Sequence, residues 1–450
     1  MKKILGVLFG VCVAGCGAVA EFSKGETIEL SQDAPLLFRQ TTVRVAKKGE
    51  RFIVLLDRPA EHRVYVSGRD ASGQEIALSI AEDAVVAAQQ PPPPVVEPPS
   101  VLPMILAARM GAERRAKALT AHGGKPESEA AVGRALHWLV TTQNEDGSWC
   151  KGSKPITAAM TGFSLLSFLG HGETPASPDF GPAVQKAINW MLANGDANEG
   201  RLSMENQFSQ PGVYAHAIAT YALGEYYTMT RDERVVDLLK KAVGHILEGQ
   251  GPDGGWMYSY DRTESDTSVS GWQIQALKAA HLTGLDIPGV PLALDKAMDN
   301  LKRVRGKNGG FGYRNAAAEK YSLTGVGVYC TYVWKQEKDM VVRDGMEYIM
   351  EKSAREYPID YRHERADLYA WYYDTLACAL VGGRSWEKWN GSLQDQLLRN
   401  QAPDGSWPPL AGKSAGGEYQ RSPEMVGKLY RTTLCALMLE VYYRYSGPGQ

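Results

Sequence analysis

Cysteine is scarce in this chain, and its spacing suits no metal. Only six occur in 450 residues, with no Cys-x-x-Cys and no Cys/His ligand spacing. Cys12 and Cys16 fall in an N-terminal apolar segment. Cys330, Cys378 and Cys435 lie in apolar sequence and read as small buried hydrophobes. A disulfide partner for them or for Cys150 is not legible from sequence. An excess of one charge is also missing: 49 Lys plus Arg face 51 Asp plus Glu, a net of −2. That excludes the basic footprint of a nucleic-acid binder. No run beyond the N-terminus is apolar and long enough to span a bilayer. The expectation is a chain with no metal, no cofactor and no nucleic-acid partner.

Residues 1–20 read as an export segment. Lys2-Lys3 precedes an apolar run, Ile4–Ala14, too short for a membrane span. Two processing readings stand side by side. Val13-Ala14-Gly15-Cys16 resembles a lipobox, which would make Cys16 the lipidation site. Ala18-Val19-Ala20 is an ordinary signal-peptidase site. Either reading places the protein in the periplasm or cell envelope, touching the membrane only through a lipid anchor. Residues 21–85 carry six short β-branched segments: Thr27–Leu30, Leu36–Phe38, Thr42–Ala46, Arg51–Leu56, Arg63–Val66 and Glu75–Ile80. Turn residues separate them. They suggest a small β-barrel similar to SH3-like modules. Residues 86–103 hold Pro91–Pro94 and Pro98-Pro99, an extended linker. Residues 104–127 read as an adaptor helix.

From 128 to 446 one phrase recurs. Gln143-Asn-Glu-Asp-Gly147-Ser-Trp149 returns as Gln250-Gly-Pro-Asp-Gly254-Gly-Trp256 and as Gln401-Ala-Pro-Asp-Gly405-Ser-Trp407. Gly309-Gly-Phe311 and Gly200-Arg-Leu202 are degenerate copies. Successive steps of 53, 54, 55 and 96 residues imply a repeat array with one copy lost. Before each turn an i, i+3, i+4, i+7, i+8 apolar stripe marks an amphipathic helix. The stripes are Val132-Ala135-Leu136-Leu139-Val140, Val184-Ala187-Ile188-Met191-Leu192 and Leu239-Ala242-Val243-Ile246-Leu247. Three more begin at Leu294, Val342 and Trp389. The second position is small every time, ending with Gly345 and Ser392. After each turn comes a segment with few charges: Thr157–Leu169, Tyr214–Tyr227, Thr267–Leu282, Thr324–Trp334, Asp367–Val381 and Arg431–Tyr445. Six polar-faced and six apolar helices predict a mainly α protein, an (α/α)6 toroid with the apolar helices inside. Asp-Gly gives the tight turn, and Trp wedges between repeats.

These turns resemble the squalene-cyclase and protein-prenyltransferase repeat superfamily. Asp266–Ala280, Asp367–Tyr373, Gly382-Gly383 and Trp386–Asn390 resemble an exported bacterial subgroup. The resemblance implies the toroid but leaves activity open. The superfamily's cyclases carry Asp-x-Asp-Asp and a following Thr at an inner-helix start. Here the stretch reads Thr263-Glu264-Ser265-Asp266-Thr267, with serine where the proton donor belongs, and Glu264 serves only if the register slips. The prenyltransferase zinc set is missing from the eight histidines and their neighbours. A thioester's Cys near Glu-Gln is missing too. Tyr361-Arg362-His363-Glu364-Arg365 offers the residue types of a polysaccharide lyase.

Inner-helix N-termini of a toroid converge on one mouth, which favours polar ligands. Candidates there are Tyr214, His216, Asp266, Trp272, Gln273, Tyr321, Trp371, Tyr372, Tyr373 and Arg431. Each also has a packing role open to it, and Asp266 reads first as a helix N-cap. The leading expectation is an exported protein whose toroid binds a sugar, an amphipathic molecule or an envelope protein without catalysis. The alternatives are a lyase, a degenerate cyclase and a structural scaffold.

Overall fold

The computed structural model describes residues 27–30, 32, 34–38, 41–47, 51–58, 63–69, 75–81, 85–87, 104–335, 339–411 and 418–445. The expected leader with Cys16 and nearly all of the linker lie outside the described residues. The chain divides into two compact units at Pro94/Val95.

The first unit holds the six expected strands and one more. They are β1 (Thr27–Leu30), β2 (Ala34–Phe38), β3 (Thr41–Ala46), β4 (Arg51–Arg58), β5 (Arg63–Arg69), β6 (Glu75–Ala81) and β7 (Val85–Ala87). They pair antiparallel in the order β3-β2-β6-β5-β4-β1-β7, with Val64↔Ile80 and Val66↔Leu78 in register between β5 and β6. Those four side chains, with Leu30 and Leu36, form the core. The likeness to an SH3-like barrel rests on the sequence alone.

The second unit opens with α1 (Met104–Ala107) and α2 (Ala112–Ala121), which make the adaptor two helices. The outer helices are α3 (Pro126–Thr142), α5 (Gly181–Ala197), α7 (Val236–Glu248), α9 (Val290–Val304), α11 (Met340–Tyr348) and α14 (Gly383–Asn400). The inner ones are α4 (Lys154–Gly170), α6 (Gln210–Thr230), α8 (Thr267–Leu282), α10 (Tyr321–Lys335), α13 (Leu368–Val381) and α15 (Met425–Leu439). A short α12 (Ala354–Glu356) precedes α13, and α16 (Val441–Arg444) continues α15 beyond Glu440. Each inner helix packs on the next, and α15 returns to α4. Outside, α14 meets α3. The ring is closed: this is an (α/α)6 toroid.

The repeated turn does the joining. Gln143 Nε2 donates to Gly147 O in its own turn and to Ala183 O of α5, at 3.0 and 2.9 Å. Gln250 does the same with Gly254 O and Ala293 O, and Gln401 with Gly405 O and Ala131 O. The third pair runs from the last turn to the first outer helix, so it seals the ring. Gly147 and Gly405 hold φ of 94° and 92°. A Cβ there would lie 2.2 Å from Lys186 O and 2.3 Å from Arg134 O, so only glycine fits. The indoles of Trp149, Trp256 and Trp407 are fully buried. Each donates Nε1–H to a carbonyl of the preceding helix: Leu139, Ile246 and Leu397.

Two details differ from the sequence reading. The stripe's fifth position lies at the edge, with Val140 exposed and Leu192 and Leu247 half-buried, because eight residues carry it past the contact line. Ser392 is exposed rather than facing a neighbouring helix. In the fifth unit the outer helix runs on through a π-helical stretch, Ile349–Ser353, into α12, and the lost turn is replaced by a loop in which buried Tyr361 donates to Pro408 O at 2.7 Å.

Candidate functional site

Four inner helices bring a tyrosine into their first turns or close to them. Tyr214 is on α6, Tyr321 on α10, Tyr369 on α13 and Tyr430 on α15, and all are half-buried. Two loop tyrosines, Tyr258 and Tyr313, are half-buried as well. Asp266 caps α8, its Oδ1 accepting from Ser268 N and Val269 N at 2.7 and 3.1 Å. Its Oδ2 accepts from Tyr258 Oη at 2.8 Å. Tyr258 Oη in turn bonds Tyr313 Oη. On the other side Ser268 Oγ bonds Asp266 and Tyr214 Oη. A continuous chain, Tyr214–Ser268–Asp266–Tyr258–Tyr313, therefore crosses three repeats at the inner-helix N-termini. Burial, reinforced by the nearby Asp266 charge, pushes the Tyr214 phenol well above its ordinary range. Burial also raises Tyr258 and Tyr313. These phenols stay protonated and act as hydrogen-bonding groups, not as bases.

The loop presenting Tyr258 is strained. Ser259, Tyr260 and Arg262 hold φ of 62°, 52° and 59°, a region that side chains enter at a cost of about 1–3 kcal/mol each. Its neighbours fix it. Tyr260 Oη donates to Gln273 Oε1 at 2.8 Å, and the Tyr260 ring stands edge-on to Phe208 at 4.7 Å. Tyr369 adds a buried hydroxyl with no partner among the described residues.

Other predicted residues have different occupations. His216 is fully buried, with Nδ1 accepting from Leu202 N and Nε2 donating to Ala242 O. Burial lowers its pKa to about 3, against the opposing bond to Ala242 O, so it is a neutral joint. Thr161, Ser270, Thr324 and Thr432 hold the equivalent place, accepting from Trp149, Trp256, Phe311 and Trp407 N–H. Four of these five acceptors, His216 included, lie 12–14 residues after their turn residue, a signal that aligning the repeats at that offset would reveal. Arg431 is buried and donates to Trp407 O, Tyr419 O and Ser422 O, so it holds the loop before α15. Gln273 also donates to Val213 O. Trp371 donates to Tyr357 O. Trp272 stacks on Tyr372 at 6.0 Å and meets Phe163 and Tyr373 edge-on. These rings fill the middle of the toroid beneath the mouth.

The cyclase and lyase positions are occupied differently too. Ser265 Oγ donates to Asp253 and accepts from Asn300 and Arg303, facing α9. Glu264 is exposed and pairs with Arg314. Neither is a buried acid in the mouth. Tyr361 is held by Pro408, while Arg362 and Glu364 are exposed and Arg365 pairs with Glu356. These residues do not converge. Among the described residues, no three His, Cys, Asp or Glu side chains gather as a metal-binding set.

No family profile matches the chain. A 99-residue stretch is 34% identical to the squalene–hopene cyclase of Zymomonas mobilis, covering 19% of this chain and 14% of that enzyme. The chain thus spans only a small part of that relative's length. Over that stretch the chain is similar to a squalene cyclase. Among solved structures, the α-1,6-mannanase GH76A of Salegentibacter sp. HEL1_6 aligns with a TM-score of 0.52 at 13% identity, over 70% of this chain and 98% of that one. A variant of the type II terpene cyclase MstE from Scytonema, with merosterolic acid A, aligns at 0.47 and 12%, over 71% and 96%. At such identities the mannanase likeness is one of fold. The helical repeats serve as a frame, and the chemistry has to be read from the site itself.

The opposite end of the toroid holds groups that the sequence did not single out. Fully buried Arg109 donates to Glu225 Oε2 at 2.8 Å, to Leu169 O and to Arg444 O, bolting the adaptor onto the inner-helix C-termini. Burial pushes the Glu225 carboxyl up, but Arg109 and Arg444 overcome it and hold it below its ordinary range. Glu440 is fully buried beside them, with neither oxygen hydrogen-bonded among the described residues, and burial raises it to about 8.

Proposed function

We propose that the toroid mouth binds a saccharide and does not turn it over. The hydrogen-bonded chain Tyr214–Ser268–Asp266–Tyr258–Tyr313 carries this reading. Its hydroxyl protons are used within the chain, and its three phenol oxygens keep acceptor lone pairs beside half-buried aromatic faces, which suits a ligand that donates many hydroxyls. Absence of turnover is supported by the same geometry. Asp266 is held by its cap bonds and by Tyr258, and the phenols are too weakly acidic to serve as bases. The mannanase on a similar frame acts on α-1,6-mannan by its name; that chemistry is not transferred here. Export belongs to the same proposal, supported by the basic and apolar first 20 residues.

The test is a binding titration with a panel of neutral and acidic oligosaccharides against Tyr258→Phe and Tyr313→Phe. Each variant removes one hydroxyl and leaves the ring. Affinity should fall about tenfold, the weight of one ligand hydrogen bond, with melting temperature nearly kept in Tyr313→Phe and lowered by several degrees in Tyr258→Phe, which takes a hydrogen bond from buried Asp266. Product release from any oligosaccharide, lost in Asp266→Asn at unchanged melting temperature, would make the protein an enzyme and sink the proposal.

A further inference from the structure

We propose that the saccharide of the toroid mouth is an amino sugar carrying a free, protonated amine. The inference rests on the mouth being a saccharide site and names the class of sugar. Tyr214, Ser268, Tyr258 and Tyr313 bring one hydroxyl proton each, and four hydrogen bonds join them with Asp266. Asp266 acts there as an acceptor, on the cap bonds as well. Ser268 and Tyr258 donate to Asp266, so Tyr214 donates to Ser268 and Tyr313 to Tyr258. Every proton is thus used inside the chain, and what it has left is lone pairs, chiefly on Tyr214 and Tyr313 Oη. An ammonium group matches that remainder, with three donors and no acceptor. A hydroxyl brings one donor, and an anion brings none.

Charge points the same way. Asp266 is fully buried, and among the described residues no cation pairs with it. Arginines of the flanking segments are engaged elsewhere, Arg303 with Asp253 and Arg314 with Glu264. Three of the inner-helix N-termini do not reverse the sign, because caps already take their first N–H groups: Ser209 on α6, Asp266 on α8 and Asp367 on α13. Aromatic faces attract cations as well. The half-buried rings of Tyr214 and Tyr258 lie 6.2 Å apart at 46°. The guanidinium of Arg314 already lies over the Tyr313 ring at 5.4 Å. A bare amine would leave Tyr369 idle. Its hydroxyl is buried without a partner among the described residues. Burial raises this phenol, and Tyr214, Tyr430 and Asp266 are near enough to add to the rise. It holds both a proton and lone pairs, which suits a ring hydroxyl beside the amine. The mouth is also set before a ligand arrives. Asp266 N donates to Trp256 O at 2.8 Å and Thr267 N to Tyr313 O at 2.9 Å, which pins both tyrosine loops to the start of α8. Fixed loops lose little freedom on binding.

Three disaccharides on one frame test this: cellobiose, N,N′-diacetylchitobiose and its fully deacetylated diamine. They differ in one substituent on each ring, a hydroxyl, an acetamide or an ammonium. Each is titrated calorimetrically into the full chain, below the pKa of the amine. The diamine should bind about tenfold tighter than cellobiose, the weight of a charge-assisted hydrogen bond. Asp266→Asn keeps a capping oxygen and removes the charge, so it should bring the diamine down toward the cellobiose level. The ranking on the unsubstituted chain decides the matter even if that variant fails to fold. Cellobiose or diacetylchitobiose binding as tightly as the diamine overturns the amino sugar and leaves a saccharide mouth standing. Choline binding as tightly as the diamine overturns it too, by showing a bare cation cage. A preference for the diamine that persists in folded Asp266→Asn puts the amine elsewhere and overturns the assignment, as does no binding by any of the three. Disaccharide binding that ignores Tyr313→Phe would instead sink the mouth as the saccharide site.

Discussion

The imidazole of His216 stands where four other repeats place a hydroxyl. Its two nitrogens tie a degenerate turn, at Leu202, to the next outer helix, at Ala242. A sequence reading sees a histidine at an inner-helix start and cannot tell a joint from a ligand, because both need the same residue type. Only the offset from the turn distinguishes them. His216→Ala leaves a buried N–H and a buried carbonyl without partners, which costs about 2–4 kcal/mol. Chemical denaturation should show that loss, while saccharide binding to the folded variant should be unchanged. Asp266 is the reverse case. Its cap role was legible from Asp before Thr-Ser-Val, and the structure adds the tyrosine chain that the cap anchors. The tyrosines came together from loops around residues 258 and 313, whose paths no periodicity describes.

At the level of elements, helix stripes and turn phrases were legible because both follow from local rules: a 3.6-residue period and a left-handed glycine. The glycine rule has a sharp consequence at Gly405. Alanine there would need φ near 92° and would drive Cβ into Arg134 O. Gly405→Ala should destabilise the toroid by about 2 kcal/mol or more, measured in urea, and Gly147→Ala should do the same against Lys186 O. Gly133, with nothing within 4 Å of an added Cβ, sits within α3 and should accept alanine without loss. In the fifth unit only the turn resisted reading, for a physical reason. Its outer helix ends in a π-helical stretch and its turn phrase is replaced by a loop wedged by Tyr361, and neither has a short sequence signature. The lyase-like run around His363 belongs to that loop.

The closed ring makes stability a property of the whole toroid, and its buried charges make that stability depend on pH. His171 lies between Glu129 and Glu173, at 3.1 and 2.6 Å. Burial alone would lower its pKa, but these two carboxylates raise it to about 9. Stability from His171 is present below its ordinary 6.5 and is lost as pH rises through 9. Glu440 adds to the trend. Folding raises it from 4.5 to about 8, so the folded state falls in stability across that interval as the group is driven to ionise. Between about pH 6.5 and 8 both groups act together, and the melting temperature should drop most steeply there. Glu440→Gln should flatten this interval and leave the His171 loss near pH 9. Arg109, Glu225, Arg444 and Glu440 were not legible as a cluster, since they lie up to 335 residues apart and meet only when the ring closes.

The most direct measurement of the central claim is a titration of the full chain with an oligosaccharide panel, followed by chromatography of every mixture that binds. Saturable binding weakened by Tyr313→Phe, with each oligosaccharide recovered intact, is the predicted result. New reducing ends or unsaturated products, or no binding anywhere in the panel, would contradict a non-catalytic saccharide site at the toroid mouth.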